Sequence, residues 1–589
     1  MSNCCQEYIR TVRSAIFRRK EIGSKDDVLR TKLRRCLNTF DVIFIGLGHT
    51  LGTCTYVVTG QIARDIAGPA AIISFLIAGF VGVNIGLCYA EFSSRIPLAG
   101  SAYVYTYITI GEIWAFLVGW NVILENVIII GTAGITWSNY FDSMFGGYIA
   151  NKTEELTGTI ENPVLSSSPN IFAICILIFF MFLLVCGMKS SVMLINVFTV
   201  LTLISITVVV VIGVYNANID NWSRSSNGGF MPYGIAILTL ILPYDELSDK
   251  ACIVDAFTRL NYPWVKWIVS IGALTATTTV VIGSIYACSR AAYAMAINGM
   301  LPAKFGQVTK TSMTPVFSII FFGLMGSIFA GFFKLGFLIE LLSIGCLFAF
   351  SIVSASLIIL RYTPSYKIVL PAMCETSESE SSSKYSEDSR HDLLGEDDMG
   401  ASSMRELQDV LEGTGRLKFR FICLNLTWPF NLEPGVLVSV NVVNITLSIV
   451  LIAVLMRLTS WNESHLIQTV IALLIVYFGF NFLCICMHQQ NPEKNYFKIP
   501  LVPLVPTISL CLNILLMVTL QGATWIRFAV WIILDGWTDI TIQQGHVTVV
   551  NNRDEKACLK PYLQNNSEEE YVWPYILVME SDIQAPVNS

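Results

Sequence analysis

Eleven apolar runs of about twenty residues recur along this 589-residue chain, near 41–63, 70–91, 113–144, 170–187, 191–215, 264–288, 314–333, 335–360, 435–457, 465–487 and 499–520. A helix crossing the hydrocarbon core of a bilayer needs about 20 such residues. Repetition on this scale leaves few alternatives to a polytopic helical membrane protein. Composition agrees: 54% of residues are hydrophobic and 14% are charged, where soluble domains carry about 25% charged residues. The expected fold class is therefore all-α polytopic, with the lipid bilayer as its surroundings. Two further apolar pieces, 235–242 (IAILTLIL) and 525–534 (WIRFAVWIIL), are too short to cross as helices.

Charge bias sets the orientation. The first 35 residues hold ten Lys or Arg against four acids, which marks residues 1–39 as a cytoplasmic arm under the positive-inside rule. Residues 1–39 have no signal-peptide core, so the first span serves as its own insertion signal. Arg95, Lys189, Lys304, Lys310 and residues 361–434 then fall inside. The sequons at Asn151, Asn221 and Asn462 all fall outside without adjustment and are expected glycosylation sites. The one at Asn425 falls inside and is expected to be unused. The net charge of −6 points to no partner by itself, and no nucleic-acid module is visible.

The chain divides into this basic arm, core spans over 40–361, a cytoplasmic linker over 362–434, C-terminal spans over 435–534 and a polar tail over 535–589. Within the linker, residues 374–398 hold nine acids and many serines, too little apolar surface to order themselves. This stretch reads either as a phosphorylatable segment or as a plain solvated loop. Sixteen cysteines and five histidines are scattered without metal-type spacing. Cys4 and Cys5 form either an acylation site or an inert pair. There is no nucleophile elbow, phosphate loop or cofactor motif, so nothing points to an enzyme.

The informative chemistry lies inside the spans. Residues 41–60, DVIFIGLGHTLGTCTYVVTG, are apolar but interrupted by Gly46, Gly48, His49, Thr50, Gly52 and Thr53. Each glycine weakens a helix interior by roughly 1 kcal/mol relative to alanine. Exposed backbone at membrane depth is tolerated only where protein or a wet cavity covers it. Such an interrupted span builds the substrate site in secondary transporters; alternatively, the small residues allow close helix packing. Glu125 lies near the middle of the third span, in WNVILENVIII. An intramembrane carboxylate is a functional hypothesis by default, and a structural pairing with another span is its alternative. Glu91, in CYAEFSSRIP, has Arg95 one turn on as a natural partner, which favours a structural role. His49 either hydrogen-bonds a carbonyl or acts as a ligand or proton carrier. A broken first helix offers free amide N–H groups to a carboxylate and Glu125 suits a cation, so a zwitterionic or cationic amino acid satisfies both.

Several of these segments resemble the cationic amino acid transporters of the amino acid–polyamine–organocation superfamily. The resemblance runs through FDVIFIGLGHTLGTCTYVVTG, through AGPAAIISFLIAGFVGVNIGLCYAEFSSRIPLAGSAYVYTYITIGEIWAFLVGWN, and through SRAAYAMAINGMLP and FKIPLVPLVPTISLCLNILLMVTLQGATWIRFAVW. It covers roughly residues 30–534. It implies a leucine-transporter-like core of two inverted repeats with spans 1 and 6 broken at mid-membrane, followed by C-terminal spans. It also implies sodium-independent movement of arginine, lysine and ornithine by alternating access at the plasma membrane. It places Gly48, His49, Thr50, Leu51, Gly52, Thr53 and Cys54 in the loop that grips the substrate carboxylate, with Glu125 facing the substrate. Glu91 matches a family glutamate, and Asn196 stands where a lysine that steadies the first span is usual.

Departures accompany the match. Cys54 replaces the second glycine of the G-x-G pattern, and His49 replaces a serine. After GGFMPYG the chain passes directly into IAILTLILPYDELSD. About 50 family residues, comprising span 6 and most of span 7, are missing between 234 and 235. The last span departs from the family pattern after Leu534. Losing two spans together preserves the topology, and the discontinuity has the form of a skipped exon or an incomplete gene model. Three expectations follow: a transporter of cationic amino acids, a transport-incompetent variant that binds partners, or a transporter of neutral amino acids or polyamines. Oligomeric state is left open by the sequence.

Overall fold

Long apolar runs satisfy their backbone groups internally when helical, and the computed structural model places each of the eleven in a helix. It describes residues 38–52, 54–59, 62, 71–158, 162, 164–186, 188–215, 253–254, 257, 262–309, 314–363, 435–458, 465–491 and 497–532, together with Arg19. The chain divides into Met1–Asp535 and Gly536–Ser589, and all described residues belong to the first unit. Residues 1–37 of the basic arm apart from Arg19, the junction at 234/235, residues 374–398, and Asn221, Asn425 and Asn462 lie outside the described residues.

In chain order the helices are α1 (Thr39–Thr50), α2 (Ala71–Arg95), α3 (Ala102–Thr109), α4 (Glu112–Met144), α5 (Tyr148–Thr157), α6 (Ile171–Cys186), α7 (Met188–Tyr215), α8 (Pro263–Ile297), α9 (Val316–Phe332), α10 (Leu335–Tyr362), α11 (Val436–Leu458), α12 (His465–Cys486) and α13 (Leu504–Thr519). A last helix, α14 (Gly522–Ile532), is bent 109° from α13. Among the described residues, eight helices are long and apolar enough to cross a membrane, or nine if α13 and α14 form one bent span. At about 1.5 Å per residue, α6 and α9, with 16 and 17 residues, fall short of a full crossing as straight helices. No β-strand occurs among the described residues, only a single bridge between Leu165 and Phe333. The molecule is an all-α polytopic membrane protein.

Helices α4 and α8 form the centre. In the apolar window of α8, 83% of residues are buried inside the protein, against 22% for α2 and for α7. The difference follows from side-chain size and polarity. Outward positions of α2 carry Leu76, Phe80 and Val83, all exposed toward the lipid. Buried positions of α8 carry Ser270, Thr277, Thr279 and Ser284. Small residues let helix backbones approach when lipid gives no hydrophobic drive between helices. Thr277 donates to Ala273 O at 2.7 Å and Thr279 to Thr275 O at 3.0 Å, whereas the buried Ser270 and Ser284 hydroxyls make no hydrogen bond among the described residues.

The long third span is a single helix through Gly131 and Gly134. Both glycines serve packing. A Cβ on Gly134 would crowd Leu177 of α6, and one on Gly131 would press on Phe329 of α9. The C-terminal helices gather about a second core, in which Val438, Val442 and Ile445 of α11 and Leu510 and Ile514 of α13 pack against Ile358 and Tyr362 of α10. Helix α10 therefore belongs to both groups.

Candidate functional site

The first span breaks within the residues expected to form the binding loop. Helix α1 ends at Thr50, with Leu51 N–H donating to Leu47 O at 2.9 Å, and the chain resumes as a π-turn over Cys54–Val58. Thr53 and the Cys54 side chain lie outside what is described. Gly48 is buried, and a Cβ there would overlap the Thr199 hydroxyl of α7 and the Thr279 methyl of α8. A Cβ on Gly52 would overlap Val280 of α8. Both readings of this stretch thus hold together: the helix breaks, and its glycines are also needed for close approach to α7 and α8. The His49 ring lies against α8, where a Cβ on Gly283 would sit 3.0 Å from Nδ1. The Thr50 hydroxyl donates to Gly46 O at 2.8 Å and is exposed, so it serves its own helix.

Both halves of the span are fastened to neighbours. Asn196 of α7 donates to Asp41 Oδ1 at 2.7 Å, while Asp41 Oδ2 accepts the Asn38 N–H at 3.0 Å. Asn196 therefore reaches the first span at its N-terminal turn rather than at the break. Three residues on, Thr199 donates to Phe44 O at 3.1 Å. Beyond the break, Tyr140 of α4 donates to Tyr56 O at 2.8 Å, with the two rings edge to face at 6.1 Å.

Glu125 faces elsewhere. Its carboxylate accepts from the Cys346 thiol of α10 and lies beside Tyr89 of α2. One turn earlier, Asn121 donates to Gly345 O at 2.7 Å. Among the described residues no Lys, Arg or His forms an ion pair with Glu125, and a thiol is only a weak donor. Gly48 and Gly52 pack against α7 and α8, and the Glu125 carboxylate meets Cys346 of α10.

Glu91 is fully buried at the cytoplasmic end of α2, as that end is read from the charge bias. Arg95 is its partner, at 3.1 Å, as the spacing predicted. The stronger partner is Arg361 of α10, which donates from Nε to Oε1 at 2.5 Å and from Nη2 to Oε2 at 2.7 Å. The Ile499 N–H adds a third hydrogen bond, to Oε2 at 2.9 Å. Arg361 also donates to Ile499 O at 3.2 Å, and its own carbonyl accepts the Asn491 N–H at 2.9 Å. One carboxylate thus ties α2, α10 and the segment before α13 together through a bidentate Arg pair. Sequence reasoning missed Arg361, 270 positions away. The available signal was a basic residue ending its span on the same membrane side as Glu91.

The comparisons with known proteins match this architecture. An amino acid permease model matches residues 37–247, a second amino acid permease model matches 229–369, and a model of the C-terminus of AA_permease matches 497–537. The chain is 32% identical to "Cationic amino acid transporter 4" of Mus musculus over 568 aligned positions, covering 87% of each chain. It belongs to the cationic amino acid transporter family. This permease is also 31% identical to the "Methylthioribose transporter" of Bacillus subtilis (strain 168), over 59% of its own length and 86% of that protein. It is 28% identical to "Cationic amino acid transporter 4, vacuolar" of Arabidopsis thaliana over 616 positions, covering 92% and 97%. The family is one of membrane transporters, and this member is an integral membrane protein whose helices carry an amino acid permease sequence.

Proposed function

We propose that this permease carries cationic amino acids such as arginine, lysine and ornithine by sodium-independent alternating access. The observation that carries the reading is Glu125. It stands 13 residues into the 33-residue α4, about 20 Å along a helix of about 50 Å, without a cationic partner among the described residues. A carboxylate at that depth is costly unless a cation or proton meets it, and a substrate side chain supplies that cation. Glycines 48 and 52 place the interrupted backbone of α1 near mid-span, where free N–H groups suit a carboxylate. At the plasma membrane, with the N-terminus inside, each transported charge gains about 2.3 kcal/mol per 100 mV. Sodium-free uptake of radiolabelled arginine into proteoliposomes is the test. Uptake no greater than in protein-free liposomes refutes the proposal, and competition by neutral amino acids or putrescine decides the substrate class.

A second reading is a transport-incompetent variant acting at most as a regulatory partner. The sequence favours it, since the family resemblance implies that span 6 and most of span 7 are lacking between 234 and 235. The alignment to the Arabidopsis relative runs over more positions than this chain has residues, which supports a loss of sequence relative to that relative. A transcript read across the codons for Gly234 and Ile235 separates the two readings. A longer transcript encoding span 6 favours the transporter, and an unbroken reading at 234/235 favours the shortened variant.

A further inference from the structure

A cavity of about 230 Å³ lies at the end of the helix bundle where α4 and α9 finish and α10 begins. At about 30 Å³ per water, it holds roughly seven waters, or one free amino acid in their place. Its wall carries Asp142 and Lys334, with Asn139, Ser166, Ser167 and Ser168 around them. Asp142, near the end of α4, is only 8% exposed. Its oxygens accept the Ile149 N–H at 2.7 Å and the Ala150 N–H at 3.2 Å, which caps the ten-residue α5. An ionised carboxylate offers about four acceptor positions, so capping leaves Asp142 able to bind a cation. Lys334 precedes α10 and is exposed. Both charges line the same cavity, yet neither is in an ion pair among the described residues. The three serine hydroxyls likewise make no side-chain hydrogen bond among those residues.

The wall is braced rather than loose. Ser166 N–H donates to Phe332 O at 2.8 Å, Asn170 N–H to Gly331 O at 2.8 Å and Lys334 N–H to Val164 O at 3.1 Å. Ser138 donates to Asn170 Oδ1 at 2.9 Å. Capping and bracing account for the Asp142, Ser138 and Asn170 side chains, but they engage Lys334 and Ser166 only through the backbone and leave the Lys334 ammonium and the serine hydroxyls without a structural bond among the described residues. An acid and a base on one cavity wall, not paired with each other, complement a small molecule that carries both charges at once.

We infer that this cavity is a second amino acid site, which holds the zwitterionic head of a free α-amino acid between Asp142 and Lys334. The ammonium meets the partly buried carboxylate, the carboxylate meets the Lys334 ammonium, and the serines and Asn139 face the side chain. Asn151, whose sequon reads as lumenal, lies on α5 beside the cavity lining, so the site is at the outer mouth. There it captures substrate before the passage through the bundle. This inference rests on the amino acid reading of the permease and adds a site that α1 and Glu125 do not form.

Purified full-length protein in nanodiscs is exposed to an amine-acylating reagent with and without arginine, and modification is followed by peptide mass spectrometry. Arginine is expected to slow acylation of Lys334 several-fold. Agmatine, which is arginine without its carboxylate, is expected to leave the rate unchanged. Lys152, exposed and paired with Glu155 at 2.6 Å, reports any general change in reactivity. Lys334→Gln is expected to weaken arginine binding at this site about tenfold, the effect of losing one charged hydrogen bond. Arginine uptake without protection of Lys334 overturns the site and leaves the transport reading standing. Protection without uptake supports the site and overturns the transport reading. Equal protection by arginine and agmatine overturns the assignment of Lys334 to the carboxylate.

Discussion

Replacing Glu91 by glutamine is the most exposed test of how this permease holds its two helix groups together. The substitution keeps the size and removes the charge. Glu91 accepts three hydrogen bonds, two from the buried Arg361 guanidinium and one from the Ile499 N–H, and forms an ion pair with the buried Arg95 at 3.1 Å. In the variant two buried cations face a neutral amide. Breaking a buried ion pair by removing one partner costs about 3–5 kcal/mol, mostly from the charge left uncompensated. The expected loss for Glu91→Gln is at the upper end of that range, because two arginines lose their anion. Arg361→Gln should cost less, since Arg95 still neutralises Glu91. The double variant should cost less than the sum of the two by about 0.5–3 kcal/mol, because each removes what the other strands. Reversible unfolding of the purified protein in mixed micelles measures all three. A loss below 1 kcal/mol for Glu91→Gln, or additivity within about 0.5 kcal/mol, refutes the anchor. Limited proteolysis adds a structural readout: the segment before α13 should become the first site of cleavage, since its tie to α2 is gone.

Four further outcomes are expected. Gly52→Ala should destabilise the protein by about 1–3 kcal/mol through overpacking against Val280, and Val280→Ala should restore most of it; failure of the rescue in the same unfolding assay refutes the contact. Asn196→Ala should cost about 1–2 kcal/mol by removing the hydrogen bond to the Asp41 carboxylate, whereas Asn196→Lys should keep a donor there and retain stability. Glu125→Gln should raise the KM for arginine tenfold or more while sparing neutral amino acids, and unchanged arginine kinetics remove Glu125 from the site. Asn151→Gln should reduce the endoglycosidase-sensitive band shift in cell extracts by one glycan of the three expected, and a shift identical to that of the wild type contradicts the outer placement of α5.

Individual residues show where sequence reasoning sufficed. The eleven helices and the break after Thr50 were legible, because apolar length and glycine placement act locally on the backbone. The pairing of Glu91 with Arg95 was legible for the same reason, being one helical turn. The duties of Gly131 and Gly134 were not. A glycine in a long helix permits a bend or a close neighbour, and only Leu177 and Phe329 decide between them. Asn196 could be read as a departure from a family pattern, but its hold on Asp41 depends on how α7 crosses α1.

What the sequence determined by itself was the solvent: so many apolar runs and so few charges require a bilayer and helices, because unsatisfied backbone cannot enter hydrocarbon. The tertiary structure alone decided which polar groups meet. It set Arg361 on Glu91 across 270 positions, and it turned Gly48, His49 and Gly52 toward α7 and α8 while Glu125 turned toward Cys346. It also brought Asp142 and Lys334 to one cavity. Hydropathy is a sum over neighbours in the chain, whereas ion pairs and cavities arise from neighbours in space, which helix packing alone assigns.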